Sequence, residues 1–95
     1  MNTKLSILET GLRLWRVDPA YVTARRIAKE LNLTHGAIQY HFRNGEHSMR
    51  DAIAFHAVEQ GESRVIMHLI AANHKAVAHL DDAQRLEYMR QARER

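Results

Sequence analysis

The chain has no cysteine, one proline and four glycines among its 95 residues. Without cysteine there is no disulfide, no thiol nucleophile and no thiolate to complete a metal site. Scarce proline and glycine, with 45% hydrophobic residues, argue against disorder. No apolar run approaches the roughly 20 residues that cross a bilayer. The opening stretch MNTKLSILETGLRLW carries Glu9 and Arg13 inside its apolar pattern, which is unlike a signal peptide. The expected location is cytoplasmic. There is no strand-like alternation and no internal repeat. Catalysis has no support either: there is no glycine loop for phosphates, no nucleophile beside a base, and no carboxylate cluster beyond Asp81-Asp82. No enzymatic activity and no cofactor are expected. Seven histidines raise the question of a metal, but His35, His41 and His47 are spaced by six and His74 and His79 by five, so none is paired at i, i+4.

What is present is an uneven charge. The net +3 is mild. Residues 1–45 hold seven basic and three acidic side chains, a net of +4, whereas residues 46–95 hold seven basic and eight acidic, a net of −1. The first half therefore suits a polyanionic partner and the second a protein partner.

Thr23 to Glu46, read as TARRIAKELNLTHGAIQYHFRNGE, organises the rest. Val22-Thr23 precedes one helical pattern, with Ile27 four residues after Thr23; Leu33-Thr34 precedes another, with Ile38 four residues after Thr34. Each pair offers a hydroxyl N-cap with an apolar residue before it to staple onto the first full turn. Asn32 stands where the chain must reverse and tolerates left-handed backbone. Two capped helices across a tight turn predict a helix-turn-helix. Its second helix would carry Thr34, His35, Ala37, Gln39, Tyr40 and His41, a row suited to phosphates and base edges, which points to double-stranded DNA. The Gln39 amide can pair with adenine N6 and N7 together; the competing reading is a solvated polar side chain. Gly36 lets backbone approach closely, either to a partner or within the fold. Arg25 and Arg26 lie in a first helical turn, where the dipole disfavours cations unless an anion docks there.

Around this stretch the fold reads as all-α. A first helix is expected from Asn2 or Thr3 to about Arg16, with Leu5, Leu8, Leu12 and Trp15 as its inward stripe and Ile7 and Leu14 flanking. Gly11 within it suggests a closely packed neighbour, and Asp18-Pro19 ends it. Helix two is expected at 24–31 with Ile27, Ala28 and Leu31 inward, and helix three at about 35–42 with Ile38 and Phe42 inward. Asn44 reads as the next cap, opening a helix with Met49, Ala52, Ile53, Phe55 and Ala57 on a broad apolar face. From Arg64 a further pattern runs Ile66, Leu69, Ile70, Asn73, Val77, Leu80. Asp81 with Gln84 reads as a capping box before a last helix striped by Ala83, Leu86 and Met89. The expected organisation is a three-helix, homeodomain-like DNA-binding domain at 1–45, and two or three short helices at 46–95 packed on it as one unit.

The segment TARRIAKELNLTHGAIQYHFRNGE resembles the amino-terminal DNA-binding domain of the tetracycline-repressor (TetR) family. The likeness covers about the first 55 residues, and its most specific part is Thr34-x-Gly36-Ala37-Ile38-x-Tyr40-His41-Phe42, followed by Asn44 and Glu46. The resemblance implies a homodimeric repressor of transcription that sets two such helices into successive major grooves of a pseudo-palindromic operator. It also implies roles. Tyr40 and His41 would meet phosphates; His35, Ala37 and Gln39 would face base edges; Thr23, Arg25 and Thr34 would grip the backbone. Arg26, Gly36 and Arg43 complete the expected DNA-contacting set. Two departures stand out. Gly45 occupies a position where the family commonly has a phosphate-contacting lysine, a contact that Arg43 is expected to replace. About 40 residues follow, too few to enclose an effector pocket of about 300–1,000 Å³, so no small-molecule effector is expected. The apolar residues Ile66, Leu69, Ile70, Val77, Leu80, Leu86 and Met89 are expected to form an isologous dimer interface, which would hold two recognition helices about 34–36 Å apart. The rival reading is a helical protein-interaction module that does not bind DNA.

Overall fold

The computed structural model describes residues 2–43 and 45–94, which form six α-helices and two short 3-10 turns, with no strand among the described residues. The chain divides into two units, Met1–Ile53 and Ala54–Arg95.

In the first unit, α1 spans Thr3–Val17. The Asn2 side-chain oxygen accepts from the Leu5 N–H at 3.1 Å and opens the helix. Asp18 leaves helical geometry (φ −161°, ψ 122°) ahead of Pro19. Its carboxylate then accepts from the Ala20 N–H at 2.9 Å in a 3-10 turn, Pro19–Tyr21. The inward face of α1 differs from the expected stripe. Leu5 is 40% exposed and Leu8 half-buried, while Ile7, Gly11 and Leu14 are buried with Leu12 and Trp15. The cause lies at Gly11. A Cβ there would overlap Ile53 and come to 2.8 Å from its Cγ1. Ile53 therefore seats directly on the α1 backbone and turns the face centred on Gly11 inward, as the lone glycine suggested.

α2 spans Ala24–Leu31 and α3 spans His35–His41. Thr23 caps the first, its hydroxyl accepting from the Arg26 N–H at 3.1 Å; Thr34 caps the second, accepting from the Ala37 N–H at 3.1 Å. Asn32 is left-handed at φ 56°, ψ 44°. The Leu33 N–H reaches back to the Ala28 carbonyl at 2.8 Å, closing α2 with a Schellman-type turn. Val22, Ile27, Ala28, Ile38 and Phe42 are buried, and Leu31 is half-buried. α4 spans Glu46–Gln60. The expected cap Asn44 lies outside the described residues; the Gly45 carbonyl accepts the first helical bond, from the Met49 N–H at 3.1 Å. Arg50, half-buried, donates to the carbonyls of Pro19 (2.9 Å) and Val22 (2.7 Å) while its guanidinium lies over the Trp15 ring at 4.9 Å.

In the second unit, Gly61 at φ +65° ends α4. Phe55 of that helix is 44% exposed and meets the His74 ring edge-on, so it is not part of the buried face, which runs through Ala54 and Ala57. α5 spans Ser63–Ala71 and buries Val65, Ile66 and Leu69. The apolar run from Ile66 to Leu80 is not one helix. Asn73 turns left-handed at φ 53°, and a second 3-10 turn, Lys75–Val77, follows. Arg85 donates to the Leu80 carbonyl at 3.1 Å and the Val77 carbonyl at 3.0 Å, satisfying backbone that no helix pairs. α6 spans Asp82–Arg93 behind the expected capping box, with Asp81 accepting from the Gln84 N–H at 2.8 Å and Gln84 from the Asp81 N–H at 2.9 Å. Its inward side is Arg85, Tyr88, Met89 and Ala92; Ala83 and Leu86 face solvent. On the solvent side, Arg90 donates to Glu87 and Glu94, and with Gln91 holds the Glu87 carboxyl below the usual carboxylate range.

The expected dimer face is corrected by the same burial pattern. Ile66, Leu69, Val77 and Leu80 are already buried within the single chain, so they have no apolar surface left for a second copy. Ile70 and Met89 are half-buried, and Leu86, at 67% exposure, is the one member fully open to solvent.

Gly11→Ala forces its new methyl into Ile53. The overpacking costs about 1–3 kcal/mol against a helix-propensity gain of up to about 1 kcal/mol. Urea unfolding should show net destabilisation, and combining Gly11→Ala with Ile53→Ala should cost less than the sum of the two, because the second change removes the clash.

Candidate nucleic-acid interface

The interface is built on α3 by subtraction. Ile38 and Phe42, one turn apart, point inward. Thr34, His35, Gly36, Gln39, Tyr40 and Arg43 are left exposed, and Ala37 and His41 half-buried. Tyr40 is 79% exposed and meets the His41 ring edge-on at 5.1 Å, so its phenol has no role in the core. The Gln39 amide nitrogen lies 3.3 Å from the His35 Nε2, one helical turn away. At Gly36 a Cβ would meet only the Thr34 hydroxyl oxygen, at 3.8 Å. Internal packing therefore does not require this glycine; it leaves bare backbone on the outer face.

α2 adds the charge. Thr23, Arg25, Arg26, Lys29 and Glu30 line a shallow concavity of about 540 Å³. Glu30 is ion-paired to Arg13 of α1, so its charge is met within the chain. Arg26 lies over the Tyr21 ring, its guanidinium carbon 4.4 Å from the centroid, which orients the cation while leaving it exposed. Lys29 was not among the expected contacts, although it follows Arg25 by four and Arg26 by three, the spacing that puts all three on one face.

Two expectations change here. The first turn of α2 is not an open set of N–H groups waiting for an anion: the Ala24 N–H donates to the Glu46 Oε1 at 2.7 Å and the Arg26 N–H to Thr23. Glu46 therefore serves the start of α2 rather than only its own helix, a link across 22 residues that no local pattern reveals. The hydroxyls of Thr23 and Thr34 are both spent as acceptors on capping, but each keeps its O–H to donate outward.

No family model, curated protein or solved structure matches this chain. The chemistry of the face thus stands on its own residues. It offers three exposed cations, an amide, an imidazole and an exposed phenol, side-chain types of the kind that can pair with phosphate oxygens and base edges.

Glu46→Ala removes the acceptor at the start of α2. By analogy with lost caps it should lower stability by about 0.5–2 kcal/mol, read by chemical denaturation. Glu46→Gln, which keeps an acceptor oxygen, should retain most of it.

Proposed function

We propose that the protein is a sequence-specific DNA-binding regulator that lays α3 in the major groove. The observation that carries this reading is the outer face of α3, where His35, Gln39 and Tyr40 stand exposed over buried Ile38 and Phe42, beside the cations of α2. A helix of this kind across a tight turn from its neighbour is the reading element of helix-turn-helix proteins. Gln39, His35 and Ala37 face base edges; Tyr40, His41, Arg43, Thr23, Thr34, Arg25, Arg26 and Lys29 meet the sugar-phosphate backbone. The resemblance of Thr23 to Glu46 to the tetracycline-repressor domain supports the same assignment, with repression as the implied outcome. The missing lysine has a backbone reason: Gly45 sits at φ +80°, which an L side chain rarely adopts. One short helix reads few base pairs, so a second copy on a pseudo-palindromic site completes the reading. That association uses surface other than Ile66, Leu69, Val77 and Leu80.

A second reading, a helical protein-interaction module that does not bind DNA, draws on the Glu46 carboxylate at the start of α2, which places a negative charge near the proposed phosphate contacts.

Binding to duplex DNA should weaken with salt, each phosphate contact adding about −0.9 to the log–log slope. Arg25→Ala should weaken binding to all sequences and flatten that slope by about 1. Gly36→Ala should leave stability unchanged or raise it by up to about 1 kcal/mol yet weaken binding, since its methyl faces the groove. Fluorescence anisotropy across a salt series reads all three. No binding to any duplex at low salt favours the protein-interaction module instead.

A further inference from the structure

We infer that Tyr21 is a positioning residue for DNA binding: its ring holds the Arg26 guanidinium in place to meet a backbone phosphate. The inference rests on the DNA-binding reading above and adds to it a residue that lies outside α2 and α3.

The three cations of the α2 concavity are all exposed, but they are not equivalent. Arg26 has its guanidinium carbon 4.4 Å from the centroid of the Tyr21 ring. The side chains of Arg25 and Lys29 make no hydrogen bond, ion pair or ring contact among the described residues. An arginine surrenders much rotamer freedom when it grips a phosphate. Arg26 has given up part of that freedom already in the unbound protein. The ring attracts it through its quadrupole rather than through a hydrogen-bond acceptor, so the fork of N–H groups stays available to phosphate oxygens.

The ring is itself anchored through its backbone. Tyr21 closes the 3-10 turn that follows α1, its N–H donating to the Asp18 carbonyl at 2.9 Å. Its own carbonyl accepts from the Thr23 N–H at 3.0 Å, which ties the turn to the residue that caps α2. Arg50 grips the carbonyls on either side, those of Pro19 and Val22, and its guanidinium lies over the buried Trp15. Support thus runs from the core through Arg50 and the turn to Tyr21, and from there to an exposed cation. Tyr21 is 39% exposed, among the large apolar side chains that the core leaves partly outside.

A phosphate contact carries no base information; it sets the register and orientation of the protein on the duplex. Tyr21 therefore acts on affinity for every sequence alike, and it does so through Arg26 alone. Its loss does not remove the cation, only the placement of the cation. The salt dependence of binding, which counts neutralised phosphates, separates the two.

The test is fluorescence anisotropy of a labelled duplex of mixed sequence, titrated with the full chain across a salt series, since the contact is to phosphate rather than to bases. The proteins compared are the unaltered chain, Tyr21→Leu, Tyr21→Phe, Arg25→Ala, Arg26→Ala, and Tyr21→Leu combined with each arginine change. Circular dichroism first checks that each keeps its helix content. Tyr21→Leu should weaken binding about 2- to 12-fold, the factor for ordering one long side chain on association, with the salt slope unchanged. Arg26→Ala should flatten that slope by about 0.9. Tyr21→Phe, which keeps the ring, should bind as the unaltered chain does. Tyr21→Leu should add nothing once Arg26 is alanine, yet keep its whole effect once Arg25 is alanine. A general loosening of the turn would not give that pattern. Nitrogen relaxation at the arginine Nε sites of the unbound, unaltered chain reads the same claim without any variant: Arg26 should be more ordered than Arg25. The inference is overturned if Tyr21→Leu costs as much without Arg26 as with it, if Tyr21→Phe is as weak as Tyr21→Leu, if Arg26→Ala leaves affinity unaltered, or if Arg26 Nε is as mobile as Arg25 Nε. Each of those results leaves DNA binding by the remaining residues standing. If the unaltered chain binds no duplex at low salt, the DNA-binding reading falls and takes the inference with it.

Discussion

Ile38 and Phe42 are the constraint on which α3 depends. A helix of seven residues is far too short to be stable alone, because nucleation is costly and few bonds follow to offset it. It persists because these two side chains, one turn apart, are buried, and because Thr34 supplies a partner for a leading N–H. The same commitment fixes what remains outside. With Ile38 and Phe42 inward, helical geometry leaves His35, Gln39 and Tyr40 to solvent, so the apolar core determines the polar face without touching it.

The electrostatics of α2 follow a similar logic. Cations near a helix start work against the macrodipole. Here the positive end is met by the Glu46 carboxylate and the Thr23 hydroxyl, which take the N–H groups of Ala24 and Arg26. Arg25, Arg26 and Lys29 are thereby left as a group facing outward, with Glu30 drawn back onto Arg13. The helix start is satisfied from within the chain, and the cations remain available to something outside it.

What the sequence made legible was local. The hydroxyl caps at Thr23 and Thr34, the left-handed Asn32, the break at Asp18-Pro19 and the reciprocal cap of Asp81 with Gln84 each involve groups within three or four residues, where covalent geometry leaves few alternatives. The outward set on α3 was equally readable, because two buried residues four apart fix a helical phase. The phases of α1 and α6 were not, since several rotations of α1 bury comparable leucines and only the seating of Ile53 on Gly11 decides among them. Ile66 to Leu80 misled in the opposite sense: its apolar residues continue through a left-handed Asn73 into a 3-10 turn held by Arg85, and they fill the chain's own interior. Glu46 and Arg50 were illegible because their partners lie 22 and 28 or more residues away in the chain.

Arg50 has a consequence for the smallest piece of this chain that can present α2 and α3. Its guanidinium joins Trp15, the carbonyls of Pro19 and Val22, and α4 into one cluster, and Glu46 reaches the α2 start from the same helix. A fragment trimmed just past Arg43 would keep every side chain of the outer face and lose both struts that hold the lead-in to α2. The autonomous unit therefore runs past the segment that carries the chemistry, into a helix that contributes none of it.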